Sequence, residues 1–412
     1  MITELEIGKF KSFGFPPEKL NLGELNFVVG ANASGKTNLI SSLRFLQHAI
    51  NQDVEFAVNE FGGVQAVRNA VRTQNGSKNS SSEHLVIGVK LDQHSLKGRG
   101  KEIKHEGFSI VSMHYLLKLN LNAATGVPEI VSEEFRADLR GQNSERQSYT
   151  VKRQGNKFVI NDPVSKLANS VGPTHVPPGE ERRLAVTGLG FFQIPLAVFR
   201  RQVSGWRFYN ISPHLARLPY KETPDVDLGQ FGEYLGVVLH RLEQEKDKTA
   251  LNRIVSGLKS AVPGFRGIKT TKLPVEGKWA FQIREDKIHG AMNPDSVSDG
   301  TIRLLALMVI ASLGVRDSSL IVIEEPENGV HPHLSEYIVE ILRGTSRTTQ
   351  LIVTTHNPSF LDWLSPEEVI LCDKKDGFTQ VRHASDIAQI KTFQKHFKLG
   401  ELWTQGTLGG IP

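Results

Sequence analysis

Eight residues near the N-terminus, GANASGKT at 30–37, combine glycine, lysine and a hydroxyl at a spacing that suits a phosphate group. Gly30 and Gly35 let the backbone curl so that successive N–H groups face an anion at a helix N-terminus. Lys36 adds a positive charge for the β- and γ-phosphates, and the Thr37 hydroxyl is placed to ligate Mg²⁺. An apolar run precedes the motif and a helical pattern follows it, as this chemistry requires. The pattern predicts the binding of a nucleoside triphosphate.

Two adjacent glutamates, Glu324 and Glu325, follow the apolar run LIVI at 320–323. Burying ionised carboxylates is costly unless a cation or hydrogen-bond donors meet them. A metal ion beside a phosphate loop needs an acid at the end of a buried strand, so Glu324 is predicted to hold Mg²⁺. Glu325 points to the other side and can accept a proton from the attacking water. The alternative is that both are solvated loop residues, and the motif at 30–37 argues against it.

Three further segments place polar groups at the ends of predicted strands and helices. His356 in TTHNP follows the apolar run QLIV, where it can contact a γ-phosphate, although a lone histidine is more often structural. Ser298 and Gly300 in SVSDGT begin an apolar helix, which provides a second anion-binding helix terminus. PENGVHPHL (326–334) directly follows the glutamate pair, and its two histidines lack the further ligand that a zinc site needs.

In this order, the segments resemble the ABC-type ATPase heads of the SMC, RecF and OLD group. FKSF (10–13) matches the group's opening strand, and GANASGKTN (30–38) matches its Walker A motif. VSDGT stands where transporters carry LSGGQ, and LIVIEEPE is similar to Walker B with its catalytic glutamate. ENGVHP matches the D-loop and TTHNP the H-loop. The resemblance is close over residues 1 to about 50 and over 265–384.

The resemblance implies an enzyme that uses ATP and Mg²⁺, hydrolyses ATP to ADP and phosphate, and works as a homodimer around the nucleotide. It implies that Glu325 is the general base and that His356 senses the γ-phosphate. Thr37 and Glu324 would ligate the metal ion.

The same resemblance implies a set of nucleotide-binding residues, two of which would complete the site of a partner subunit. Those two are Ser298 and Gly300, at the helix start that follows SVS. The full set is Lys11, Ser12, Gly30, Asn32, Ala33, Ser34, Gly35, Lys36, Thr37, Asn38, Ser298 and Gly300.

The chain also departs from the group's pattern. Glu324 stands where many relatives have Asp, and Asp299 stands where transporters have Gly, which favours the OLD-like branch. No coiled-coil arm is visible, and about fifty residues without an acidic cluster follow His356, so we expect an OLD-like ATPase that lacks the TOPRIM nuclease. The Q-loop glutamine is not assigned, and the alternatives are Gln65, Gln74 and Gln193.

Composition indicates an ordinary globular protein. The 412 residues are 39% hydrophobic and 23% charged, and this length suggests two or three lobes. The single cysteine, Cys372, excludes an internal disulfide and fits a reducing compartment, and residues 1–15 alternate like a strand rather than forming a signal peptide, so a cytoplasmic protein is expected. The most apolar run, 304–315, is about half the length of a membrane span, which favours a buried helix and no membrane partner.

The fold class predicted from these patterns is α/β, an ABC-type P-loop head with a parallel or mixed sheet flanked by helices, an antiparallel β subdomain and a helical insert. Residues 1–171 form a predicted N-terminal ATPase lobe, with an antiparallel meander over 84–160. Residues 172–264 form a mainly helical insert that begins in a Pro/Gly-rich stretch. Residues 265–412 form a C-terminal ATPase lobe with the signature, Walker B, D-loop and H-loop segments and a tail.

The leading functional hypothesis is the ATPase subunit of a bacterial DNA-directed complex in anti-phage defence, which gates a nuclease or effector supplied by a separate protein. A RecF-like DNA repair or clamp ATPase and a non-nucleolytic sensor or scaffold are open alternatives. A transporter subunit is disfavoured by the degenerate signature segment. The net charge of +5 fits a nucleic-acid partner or a mildly basic surface equally well. The basic, aromatic segment 199–221 either contacts nucleic acid or packs Trp206, Phe208 and Tyr209 between the lobes.

Overall fold

The computed structural model describes residues 1–69, 84–92, 104–105, 107–122, 124–141, 143–164, 171–189, 193–224, 226–313 and 318–409. The strands are β1 (Ile2–Gly8), β2 (Glu18–Asn21), β3 (Leu25–Val29), β4 (Leu85–Asp92), β5 (Lys104–His105), β6 (Phe108–Leu121), β7 (Pro128–Arg140), β8 (Arg146–Gln154), β9 (Lys157–Asn161), β10 (Val171–His175), β11 (Arg207–Tyr209), β12 (Tyr220–Lys221), β13 (Phe265–Lys272), β14 (Lys278–Glu285), β15 (Leu320–Glu324), β16 (Gln350–Thr355), β17 (Val369–Lys375) and β18 (Phe378–His383). The helices are α1 (Lys36–Asn51), α2 (Val54–Glu60), α3 (Val64–Val67), α4 (Ala185–Leu189), α5 (Ile194–Ser204), α6 (Pro213–Arg217), α7 (Leu235–Gln244), α8 (Thr249–Ala261), α9 (Asp299–Leu313), α10 (Ser335–Ser346), α11 (Pro358–Leu361), α12 (Ile390–Phe393) and α13 (Leu399–Thr404).

The central sheet runs in the order β11–β15–β16–β3–β17–β18, and its pairs are parallel except β17 with β18. Successive side chains of a strand point to opposite faces. Val28 and Val322 therefore enter one apolar core, whereas Phe27 and Ile323 enter the other. A parallel sheet buried on both faces explains why these strands read as continuous apolar runs.

A second, antiparallel sheet covers one side of the molecule in the order β10–β9–β8–β7–β6–β4–β1–β2, with β5 paired to β6. It packs against α1 and α5, where the Phe199 ring lies 5.0 Å from the ring of Tyr115 and 5.4 Å from that of Phe135. The antiparallel meander predicted over 84–160 is confirmed in the part of that range that the structure describes.

Helices α7 to α11 and the small sheet β12–β14–β13 contribute to the core on the other face. Residues 172–264, predicted as a mainly helical insert, contain α4 to α8 and also supply β11, which pairs with β15 in the central sheet. Within the described part of the chain, no helix is long and apolar enough to cross a membrane. The apolar run that begins at Leu304 forms α9, and most of this helix is buried.

The segment FKSF (10–13) is not the opening strand, which is β1 over Ile2–Gly8. Phe10 and Phe13 are both fully buried, and residues three apart point to opposite faces of a strand. The chain turns instead: Phe13 N donates to Phe10 O at 2.8 Å, and Lys11 has a φ of 49°. The prediction of a strand at this position is therefore wrong.

Candidate functional site

The carboxyl ends of four neighbouring parallel strands meet at one edge of the central sheet. Val29, the last residue of β3, is in register with Thr355 of β16, and Thr354 is in register with Glu324 at the end of β15. Ile323 is in register with Tyr209, so β11 ends at the same edge. Ligands of open α/β sheets bind at this edge.

The loop 30–37 leaves β3 at this edge and leads directly into α1. Gly35 has a φ of 115°, and a Cβ atom there would overlap the Thr379 hydroxyl. A Cβ at Gly30 would overlap the Cys372 carbonyl, and Ala33 takes a φ of 63°. The glycines are needed because the backbone passes too close to its neighbours for a side chain. The result is a curled backbone at the start of a long helix.

The side chains of this loop divide into buried and exposed groups. Ser34, Gly35 and Lys36 are buried, whereas Asn32, Ala33 and Thr37 are exposed. The Lys36 ammonium donates to Gly30 O at 2.6 Å and to Ala31 O at 3.0 Å. The lysine thus bends back over its own loop.

The electrostatic surroundings of Lys36 connect the loop to the acidic strand end. Burial lowers the pKa of Lys36, and the charges of Glu325 and Glu327 act in the opposite direction. A lysine held among carbonyls with carboxylates nearby has its charge partly compensated, which suits a group that takes up phosphate.

The two adjacent glutamates point to different partners. Glu324 Oε1 lies 4.0 Å from Arg44 Nη2, on the side of α1. Glu325 Oε1 lies 3.2 Å from His356 Nδ1, and its Oε2 accepts from Asn328 Nδ2 at 2.7 Å. The φ of Glu325 is 47°, in the left-handed region that few residues other than glycine adopt. The residues predicted as metal ligand and general base are therefore held separately.

Arg44 belongs to this site although no sequence pattern pointed to it. Its guanidinium lies 4.9 Å from the Phe208 ring, and it donates to the Gln230 side-chain oxygen in the amide orientation that satisfies both groups. Burial raises the pKa of Glu324, the Arg44 charge opposes that rise, and Glu325 adds to it. Arg44 is therefore the cation that offsets the burial of Glu324.

Glu327 is a second residue that sequence reasoning missed. It is 5% exposed, and it accepts from the Thr355 hydroxyl and from His356 N at 3.3 Å. Burial raises its pKa, and these hydrogen bonds oppose the rise. Glu327 thereby ties the D-loop to the end of β16, where His356 is placed.

Lys11 and Ser12 lie against the loop and α1. Ser12 Oγ accepts from Asn38 Nδ2 at 2.6 Å and shares a hydrogen bond of 2.7 Å with Thr379 Oγ1. Thr379 Oγ1 also donates to Ser34 O at 2.8 Å. Lys11 Nζ donates to Ser41 Oγ on α1 at 3.3 Å. Thr379, from β18, links these segments, and it has no motif of its own in the sequence.

Ser298 and Gly300 lie at the start of α9. Ser298 Oγ accepts from Thr301 N at 3.2 Å and so caps the helix. A Cβ at Gly300 would overlap the Gly329 carbonyl, so the D-loop backbone packs directly on the first turn of α9. Ser298 and Gly329 are exposed. The signature segment and the D-loop therefore form one surface.

Among the described residues, neither candidate for the Q-loop glutamine contacts Glu324 or Glu325. Gln65 is exposed on α3, Gln193 precedes α5, and Gln74 lies outside the described residues. The residue that follows β11 is Asn210, one position beyond Tyr209, which is in register with Ile323. Because β11 pairs with β15, Asn210 follows the strand next to the one that ends at Glu324.

The aromatic residues of the basic segment 199–221 pack inside the protein, which was one of the two alternatives for this segment. Trp206 is 2% exposed, and Phe208 and Tyr209 are also buried, with Trp206 and Phe208 in one core and Tyr209 in the other. These rings are therefore not available to stack on bases.

The comparisons with known proteins agree with this architecture. A family model described as "AAA domain, putative AbiEii toxin, Type IV TA system" matches residues 25–94 and 201–362, more than half of the chain. The matched stretches contain the loop 30–37, Ser298, the glutamate pair and His356. No curated protein matches the chain.

Solved structures of SMC heads are similar to the chain, and one of them has a TM-score above 0.5. An Smc head bound to the C-terminal winged-helix domain of ScpA matches with a TM-score of 0.51 and 13% identity, over 92% of this chain and 97% of that chain. The SMC head from Thermotoga maritima matches with 13% identity and a TM-score of 0.41, over 93% and 98% of the two chains. An Smc head bound to the C-terminal domain of ScpA, derived from Pyrococcus furiosus, matches with 12% identity and a TM-score of 0.47, over 96% of this chain and 98% of that chain. The predicted ABC-type P-loop head is confirmed as the fold.

Proposed function

The chain belongs to the AAA-domain family whose description names an AbiEii toxin of a type IV toxin–antitoxin system, and we propose that it binds ATP with Mg²⁺ and hydrolyses it. One observation carries the proposal. The loop 30–37, Glu324, Glu325 and His356 come together at the carboxyl edge of one parallel sheet. Each group has the chemistry that phosphoryl transfer to water needs at that place.

The loop fits a nucleotide's phosphates. Its backbone curls through positive φ values at Ala33 and Gly35, and side chains are excluded at Gly30 and Gly35. Lys36 Nζ is bound only to carbonyl oxygens among its described hydrogen bonds, and a phosphate oxygen is a stronger acceptor for an ammonium group. Lys36 is thus ready to exchange these carbonyls for the β- and γ-phosphates.

The metal site also fits its proposed ion. When bound, Mg²⁺ would supply the positive charge that offsets the negative charge developing during phosphoryl transfer. The exposed Thr37 hydroxyl and the Glu324 carboxylate would hold it, and oxygen donors of this kind are those that Mg²⁺ prefers. Burial raises the pKa of Glu324, and the Arg44 charge opposes this rise and so favours the ionised form that ligation requires.

Glu325 is the proposed acceptor of a proton from water. Its Oε2 accepts from Asn328 Nδ2, and its Oε1 lies 3.2 Å from His356 Nδ1, which donates to it when that nitrogen carries a proton. These two donors fix its orientation. As the water oxygen forms its bond to the γ-phosphorus, the bond from that phosphorus to the ADP oxygen breaks, and Glu325 takes the water's proton.

We propose further that two copies share each site. The start of α9 is capped by Ser298 and packs on the D-loop at Gly329, and this surface is exposed. The N–H groups of a helix start favour an anion. A γ-phosphate held by Lys36 of a second copy is the anion that fits such a terminus.

The biological role that we propose is anti-phage defence within a DNA-directed complex, with ATP turnover gating a separate nuclease or effector. The family's description, which names a toxin of a toxin–antitoxin system, favours defence over DNA repair or transport. Co-purification of the chain from its native operon with identification of its partners by mass spectrometry tests this role. A permease as the partner would refute it.

Steady-state ATP turnover with two matched variants tests the catalytic proposal. Lys36→Ala should lose high-affinity ATP binding, because the phosphates lose the mobile cation of the loop. Glu325→Gln should bind ATP and Mg²⁺ but turn over about 10²–10⁴ times more slowly, because an amide cannot accept the proton. Unchanged ATP binding in Lys36→Ala, or unchanged turnover in Glu325→Gln, would contradict the assignment.

A further inference from the structure

One arginine from outside the recognised motifs holds the turn that leads into α9. Arg217, the last residue of α6, donates from Nε to Pro294 O at 2.9 Å and from Nη2 to Val297 O at 2.7 Å. The same Nη2 lies 2.6 Å from Asp299 Oδ1. The Arg217 side chain is only 14% exposed, whereas that of Asp299 is 64% exposed. The guanidinium is therefore built into the fold, and the carboxylate reaches it from the surface.

The acceptors of Arg217 lie on both sides of Ser298 in the chain. Pro294 and Val297 precede Ser298, and Asp299 follows it. The Gly329 backbone packs on Gly300. The start of α9 thus contacts both Arg217 and the D-loop, and the D-loop is bound to Glu325 through Asn328.

Because Asp299 is negatively charged, its contact with Arg217 affects how well the start of α9 can bind a phosphate. An acidic residue in the first turn stabilises a helix. The same charge repels a phosphate that approaches that helix terminus, since like charges a few ångströms apart interact unfavourably. Arg217 is bound to Asp299 and, together with the nearby Arg303, offsets part of its charge at the point where the proposed partner phosphate arrives.

We infer that Arg217 is a positioning residue that shapes the α9 terminus and offsets part of the charge of Asp299, so that the terminus can accept the γ-phosphate bound to a second copy of this chain. The inference rests on the proposed shared site. It extends that site to α6, which packs on both α7 and α9. A movement of α6 would break all three of these hydrogen bonds to the α9 terminus at once.

The test uses the full chain with Glu325→Gln, which is expected to bind ATP without consuming it. ATP binding is measured by calorimetry, and dimer formation with ATP and Mg²⁺ is measured by sedimentation. Adding Arg217→Met should leave ATP binding unchanged at protein concentrations at which the parent is monomeric, and should weaken the ATP-dependent dimer about tenfold or more, because a buried guanidinium and its charge are lost. Arg217→Lys, which keeps the charge but not the three-way hydrogen bonding, should recover part of the loss.

A second pair of variants separates the charge of Asp299 from the fold of the turn. Asp299→Asn alone leaves the carbonyl contacts of Arg217 in place and should form the dimer at lower ATP concentration than the parent protein. Arg217→Met with Asp299→Asn should dimerise better than Arg217→Met alone. Thermal unfolding of all variants checks that the chain remains folded.

The possible results distinguish the inference from the proposed function. A parent protein that stays monomeric with ATP refutes the shared site itself, and the role of Arg217 with it. A parent that dimerises, together with an Arg217→Met variant that dimerises equally well, overturns only the role of Arg217. A weaker dimer for Asp299→Asn overturns the charge argument, even if Arg217→Met has the expected defect. If Arg217→Met does not fold, Asp299→Asn alone tests the inference: dimer formation at lower ATP concentration than in the parent supports it, and an unchanged or weaker dimer overturns it.

Discussion

Gly35→Ala should weaken ATP binding because the loop before α1 has no room for a side chain. At a φ of 115°, a residue with a Cβ is strained, and the new Cβ would overlap Thr379 Oγ1 and lie 2.7 Å from its Cγ2. Thr379 cannot rotate away without cost, because Oγ1 donates to Ser34 O and bonds Ser12 Oγ. A displaced Thr379 would also disturb Ser12, and with it the turn that contains Lys11.

The size of the effect follows from these contacts. Backbone strain of this kind costs about 1–3 kcal/mol, and two lost hydrogen bonds cost about 1 kcal/mol each. The strain and the lost hydrogen bonds together cost about 3–5 kcal/mol, which the loop avoids only by leaving the conformation that binds phosphate. Each 1.4 kcal/mol of that cost corresponds to about a tenfold loss of affinity. ATP binding should therefore fall by at least about 100-fold.

Calorimetric titration of ATP into matched variants checks this value. Gly63→Ala is the control, because Gly63 also has a positive φ, of 87°, but no atom lies within 4 Å of the position of its Cβ. Thr379→Ala added to Gly35→Ala should restore part of the affinity, since it removes the overlapping atoms but leaves the backbone strain. If Gly35→Ala binds ATP as tightly as Gly63→Ala does, the reasoning from the loop geometry is refuted.

Two further predictions concern the metal site and the partner. Arg44→Met should raise the pKa of Glu324 further, so that Mg²⁺-dependent turnover is lost at a higher pH than in the wild type as the pH falls, whereas Arg44→Lys keeps the charge and the profile. ATP turnover from about pH 5 to about pH 8 measures both profiles, and identical profiles for wild type and Arg44→Met would contradict the role of Arg44. The purified chain should not cut DNA with any nucleotide, because the proposed nuclease or effector is a separate protein. Nicking that follows this protein through purification and survives Glu325→Gln would contradict this.

The motifs could be predicted because each is a short run whose residue types carry the chemistry. GANASGKT and the glutamate pair following LIVI need only their own neighbours in sequence, since a strand end and a helix start position them. The alternation of apolar and polar residues likewise predicted the antiparallel sheet. The segment FKSF was misinterpreted because the burial of both Phe10 and Phe13 requires a turn, which the resemblance to an opening strand concealed.

The remaining site residues could not be predicted because tertiary structure alone brings them to the site. Thr379 reaches the loop because β18 lies at the end of the central sheet beside β17, which pairs with β3. Arg44 is two turns along α1 from Lys36, and nothing local distinguishes it from a surface arginine. Arg217 acts on residues about eighty positions away in sequence. The left-handed φ of Glu325 also has no sequence signal.

Mixing two inactive variants tests the shared site most directly. Lys36→Ala removes the phosphate cation, and Ser298→Arg blocks the helix terminus that the other copy would supply. Each should be nearly inactive alone, yet ATP turnover should return when the two are mixed and allowed to exchange subunits. In each heterodimer, one site carries both substitutions and the other carries neither. If the sites are shared, ATP turnover should rise and then fall as one variant is titrated into the other. Zero turnover at every ratio, with exchange confirmed by differently tagged subunits and Glu325→Gln remaining monomeric with ATP, would contradict it.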